Sequence, residues 1–76
     1  MDKEIRIRDE FIRLGQAMKL AGAAQTGIEA KIMITSGEVR VNGETETRRG
    51  RKLHDGDRGE SAGGSFTVHA DSQPQV

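Results

Sequence analysis

Eight basic residues fall between positions 13 and 52: Arg13, Lys19, Lys31, Arg40, Arg48, Arg49, Arg51 and Lys52. Only four acids, Glu29, Glu38, Glu44 and Glu46, share that stretch, which therefore carries a net of four positive charges in a chain of zero formal charge. Cations concentrated in this way bind phosphate. They release counterions from a nucleic-acid backbone, and arginine grips a phosphate through two parallel hydrogen bonds. Lys19, Lys31, Arg48, Arg49, Arg51 and Lys52 are the candidate phosphate contacts, with Arg40 as a further one. Neutrality is restored by Asp2, Glu4, Asp9 and Glu10 at one end and Asp55, Asp57, Glu60 and Asp71 at the other, so the molecule is dipolar. By charge alone the run from Arg48 to Lys52 is equally compatible with a solvated linker. Lys19 and Lys31, taken singly, read as ordinary exposed helix residues and gain meaning only if the fold brings them beside that loop.

Other chemistries find little support. His54 and His69 lie far apart, with no Cys and no clustered carboxylates to complete a metal site. Asp55-Gly56-Asp57 is too short for a calcium loop, lacks the later bidentate Glu, and reads as a turn. Ser36, Ser61, Ser65 and Ser72 have no nucleophile-elbow context, and the glycines at 59, 63 and 64 lack the strand-to-helix setting of a phosphate-binding loop. No catalytic residues, metal or cofactor are expected. With two Phe and no Tyr or Trp, a stacking platform for single-stranded bases is not expected either, so structured RNA fits the cations better than single strands.

Positioning these cations requires regular elements. Ile5-Arg6-Ile7-Arg8 alternates with a period of two, as a short strand does. Asp9 is placed to cap a helix in which Phe11, Leu14, Ala17, Met18 and Ala21 form an apolar stripe up to Gly22. Thr26-Gly27-Ile28-Glu29 has the form of a capping box, predicting that the Thr26 hydroxyl accepts from the Glu29 amide and the Glu29 carboxylate accepts from the Thr26 amide. The second helix turns Ala30, Met33 and Ile34 inward, with Ile28 or Ile32 flanking and Lys31 outside, and Gly37 closes it. Val39-Arg40-Val41 followed by Asn42-Gly43 predicts a hairpin returning over Glu44–Thr47. Ser65–Ala70 alternates again, with Phe66 and Val68 on one face.

A chain of 76 residues buries only about 60% of its unfolded surface or a little more, which limits it to one small domain with a thin core and no roomy active site. Hydrophobic residues make up 33% and charged residues 32%, so apolar packing without disulfides must hold the fold. No window approaches the roughly 18 apolar residues of a membrane helix, and Met1-Asp2-Lys3-Glu4 lacks the order of a signal peptide, so a cytoplasmic protein without membrane association is expected. One domain over residues 1–70 and a frayed tail over 71–76 are expected.

Leu14, Ala21-Gly22, Ala30-Lys31 and the series Gly37-Glu38-Val39-Arg40-Val41-Asn42-Gly43 form an ordered set over roughly residues 8–68. In these features the sequence resembles the S-four RNA-binding domain, a family named for a ribosomal small-subunit protein, and within it the small stand-alone, YbcJ-like branch. The resemblance implies an α+β domain, two helices packed on a small, mostly antiparallel sheet, with the N-terminal strand pairing near the C-terminal one. It also implies a non-catalytic protein that binds structured RNA, ribosomal or otherwise folded, with an association with the ribosome or its assembly; a monomer is expected. The competing class is a protein-interaction module whose acidic ends and hairpin edge meet another chain. The sequence departs from the family pattern twice. Thr26-Gly27 stands where many members place Ser-Arg, which removes one RNA contact, and Arg58-Gly59 stands where apolar strand residues are usual. Losing one buried Val-sized group removes about 1.5–3 kcal/mol, so a weakened penultimate strand is expected.

Overall fold

The alternation at Ile5-Arg6-Ile7 becomes strand β1 (Asp2–Ile7), with Ile5 and Ile7 buried and Arg6 exposed, in a computed structural model that describes residues 2–71. Strand β2 (Phe11–Arg13), helices α1 (Leu14–Leu20) and α2 (Gly27–Thr35), and strands β3 (Arg40–Val41), β4 (Glu44–Thr45), β5 (Lys52–His54), β6 (Arg58–Ser61) and β7 (Gly64–Ala70) follow. The larger sheet has the order β1-β7-β6-β3-β4, and β2 pairs with β5 in a separate ribbon. Strand β1 runs parallel to β7, with Ile5 opposite Val68 and Ile7 opposite Ala70, while all other pairs are antiparallel. The architecture is the expected one of two helices on a mostly antiparallel sheet. Asp71 is joined to β1 through its amide, which donates to the Ile7 carbonyl. The remainder of the expected tail lies outside the described residues.

The first helix starts later than its apolar spacing suggests. Residues 11–13 are extended, pairing Phe11 with His54, Ile12 with Leu53 and Arg13 with Lys52. Within so short a run, spacings of two and of three or four overlap, and the β-branched Ile12, packed against the core, decides for a strand. Asp9 therefore caps nothing. The residue before the helix is Arg13, which offers no side-chain cap. Instead the Leu14 and Gly15 amides donate to the carbonyls of Arg51 and Arg49, at 2.9 and 3.1 Å. Backbone from the basic loop thus satisfies donors that a helix of this kind leaves open.

Helix α2 begins as expected, with the Glu29 amide donating to the Thr26 hydroxyl at 3.0 Å. The reciprocal bond is shifted by one residue, since the Glu29 carboxylate accepts from the Gln25 amide at 3.2 Å. Both helices close with the paired bonds of a Schellman motif: Gly22 to Lys19 and Ala23 to Met18, then Gly37 to Ile34 and Glu38 to Met33. Leu14, Ala17, Met18, Ala30 and Ile34 from the helices meet Val39, Val41, Leu53, Phe66 and Val68 in one core. Neither Ile28 nor Ile32 flanks it, because both are exposed, as is Leu20.

The hairpin pairs Arg40 with Thr45 and Val41 with Glu44 around Asn42-Gly43, both at positive φ. The penultimate strand, expected to be weakened by Arg58-Gly59, is fully formed. Gly59 lies opposite Phe66, and a Cβ at that glycine would come within 2.4 Å of the Phe66 ring. The aromatic ring fills the space a side chain would need, so packing lost at position 59 is recovered from across the strand pair. Gly59→Ala should therefore lower stability by about 1–3 kcal/mol, the usual cost of overpacking, read as a lower urea midpoint. Adding Phe66→Leu should make the alanine harmless; an unchanged midpoint in the single variant would show that the ring can move aside.

Candidate nucleic-acid interface

The loop after β4 is built around one acid. Glu46 is 6% exposed, and its carboxylate accepts from the Arg48 amide and Nε at 3.0 Å each, from Arg48 Nη2 at 3.3 Å and from Arg51 Nη1 at 3.0 Å. The Arg48 guanidinium, helped by the Arg48 amide and by Arg51, holds the Glu46 carboxyl down at about 2, against the upward push of burial. The same pairing raises Arg48 above its ordinary value. Two further contacts fix the loop. Its carbonyls cap α1 as described, and Arg13 Nη1 donates to the Gly50 carbonyl at 3.0 Å. Gly15 allows this approach, since a Cβ there would meet Arg49 Cγ at 2.9 Å.

Pinning the loop against α1 creates an open cleft of about 330 Å³ lined by Arg13, Gly15, Gln16, Lys19, Gly27, Arg49 and Gly50. Its wall contains three cations and no carboxylate. Charge in it is not cancelled locally, as it is at Glu46, so it presents a concentrated positive potential to an anion. A Cβ at Gly27 would meet nothing within 4 Å, leaving that side of the cleft open to solvent.

Of the candidate contacts, Lys19 and Arg49 meet in this cleft. Lys31 is exposed on α2 one turn beyond Gly27, on the same face. Arg48 and Arg51 are tied to Glu46, although the Arg48 side chain remains 76% exposed. Lys52 lies on the outer face of β5, with Nζ 4.7 Å from the centre of the Phe11 ring. Arg40 is elsewhere, in a shallow depression with Glu38, Glu60 and Ser61. Arg13 is not among the expected contacts: a helical reading of residues 10–22 points it away from the apolar stripe and does not show its pairing with Lys52. A period-two reading of Phe11–Arg13 against Lys52–His54 would have placed it beside the loop. Glu46 carries a fainter signal, an acid two residues before one arginine and five before another.

Residues 5–69 match the S4 domain family. The chain is 49% identical over 69 residues to the probable ribosome maturation protein RlbA of Bacillus subtilis, covering 90% of this chain and 97% of that protein. It is 39% identical over 59 residues to the putative RNA-binding protein YbcJ of Escherichia coli, covering 78% of this chain and 84% of that one. The solution structure of Escherichia coli YbcJ, described as revealing an αL motif involved in RNA binding, aligns with a TM-score of 0.66 at 33% identity, over 91% of this chain and 86% of that one.

The ionisation of Glu46 gives a defined dependence on pH. Its folded value of about 2 lies below the ordinary 4.5, so its contribution is complete above the unfolded value and disappears as pH falls through the folded one. Denaturant titrations should show a loss of about 1–3 kcal/mol from this group between those limits, and Glu46→Gln should remove that part of the pH dependence. The same variant should speed hydrogen exchange at the Leu14 and Gly15 amides. Unchanged exchange would mean that the loop holds the helix without its acid.

Proposed function

The chain belongs to the S4 domain family, and from that premise we propose that it binds structured RNA, with ribosomal RNA as the favoured class, and catalyses no reaction on it. The observation that carries this reading is the convergence of Arg13, Lys19 and Arg49, from a strand, a helix and a loop, on one cleft whose wall has no carboxylate. Successive phosphates of a folded RNA would meet these cations, with Lys31 and Lys52 extending the track. Release of counterions would supply most of the affinity. Arg48 is held in direction by Glu46 while most of its side chain stays in solvent, which suits a contact at the edge of that track. Arg13 supplies a charge near Gly27, where the sequence lacks the arginine usual in the family. The name of the RlbA relative supports an association with ribosome maturation, and the name of the YbcJ relative supports RNA as the partner. Both favour action in the cytoplasm, and we take the acting unit to be one domain over residues 1–70.

Most of the acids at the two ends are already engaged, Asp9 and Glu10 aside, which favours this reading over a protein-interaction module. Arg58 pairs with Asp2 at 2.7 Å, His69 Nε2 lies 3.0 Å from Glu4, and Arg6 lies 3.8 Å from Asp71. Asp2 also accepts from the Ser65 hydroxyl, and this bond, with Arg58, keeps its carboxyl below the ordinary range. The hairpin edge, β4, is only two residues long.

Affinity for a folded ribosomal RNA fragment, measured against salt, should fall linearly on logarithmic axes. Replacing Arg13, Lys19 or Arg49 by Ala should each lower the slope by about 0.7–0.9, with the folded state checked by circular dichroism. Arg40→Ala, set among acids, should leave the slope unchanged. Equal effects at all four positions, or none, would reject the cleft as the contact surface.

A further inference from the structure

The β2–β5 ribbon has two chemically different faces. Ile12 and Leu53 turn towards the core, so Phe11, Arg13, Lys52 and His54 share the outer face. The Phe11 ring is only partly buried there, with Lys52 Nζ 4.7 Å and Arg13 Cζ 5.7 Å from its centre. The His54 ring lies 6.2 Å away, tilted by 49°. An aromatic residue on the solvent side of a strand gains little from burial, and the buried aromatic of this core is Phe66. A surface aromatic ring with two cations over it and an imidazole beside it offers, once those long side chains turn to the anion attached to a flat partner, a π face for that partner.

We propose that the outer face of the ribbon is a binding site for one unpaired nucleobase of the RNA, stacked on Phe11 beside His54, with Lys52 and Arg13 meeting the flanking phosphates. This site rests on the RNA-binding reading and extends it from backbone to base. Arg13 connects the two surfaces, since it borders the Phe11 ring, bonds to Gly50 and lines the cleft. A base extruded from a helix whose backbone lies in the cleft therefore has a ring adjacent to it. The capacity is a single base, because Phe66 is buried and the sequence has no Tyr or Trp. The ring escapes notice in the sequence because Phe11 fits the helical stripe.

Two RNA hairpins test the site, one fully paired and one carrying a single unpaired nucleotide. Phe11→Leu keeps apolar volume but removes the π face; it should weaken binding of the second hairpin by about five- to a hundredfold, the range of one base stacked on an aromatic ring, and leave the first unchanged. Phe11→Trp should bind like the parent and serve as a unique fluorophore, quenched by the hairpin with the unpaired nucleotide and not by the paired one. Equal losses on both hairpins with Phe11→Leu, or tryptophan emission indifferent to a hairpin that binds by gel shift, would overturn the base site and leave the cleft standing. Failure of the parent protein to bind either hairpin would remove both.

Discussion

A carboxylate cannot be withdrawn from water without partners, and the structure around Glu46 follows from that constraint. Three hydrogen bonds come from Arg48 and one from Arg51. Meeting this demand curls the chain after β4 into a fixed loop. The carbonyls of that loop then point at the start of α1, where they take over the work of a capping side chain. Arg49, lying between the two arginines that Glu46 engages, is left facing the cleft. One buried acid thus orders a loop, starts a helix and aims a cation.

The same economy of pairing explains how a molecule with no net charge can present a positive surface. Asp2 and Asp71 near the ends are matched by Arg58 and Arg6 along the β1–β7–β6 side of the sheet. Asp55 and Asp57 brace the turn before β6, accepting from the Ala70 amide and from the His54 amide and Asn42. Arg13, Lys19 and Arg49 are gathered where the cleft wall has no acid. Distribution, not total, sets the local potential.

Much of this was legible in the sequence. Asn42-Gly43 dictates a hairpin because both residues tolerate positive φ, and Thr26 announces α2 because its hydroxyl can take an amide proton that the helix cannot. The terminal alternations revealed β1 and β7. What escaped depends on partners distant in the chain. Phe11–Arg13 is a strand because β5 pairs with it, and Gly59 is tolerated because Phe66 lies opposite. In the candidate site, Lys19 and the loop were identifiable by charge, whereas Arg13 could be placed only once the ribbon was known. Arg48 and Arg51 look like free cations in the sequence, and only the fold shows that Glu46 engages them.

The parallel alignment of β1 with β7 carries a consequence for biosynthesis. The only strand that pairs with β1 among the described residues is β7, and Asp71 seals the pair at the Ile7 carbonyl. During translation the first strand emerges long before its neighbour exists, so Ile5 and Ile7 stay wet while the helices and hairpin form behind them. Only when Ala70 clears the exit tunnel can the sheet be completed. The last step of folding therefore waits for β7, and a chain stopped before that strand leaves β1 exposed to the cell's chaperones and proteases.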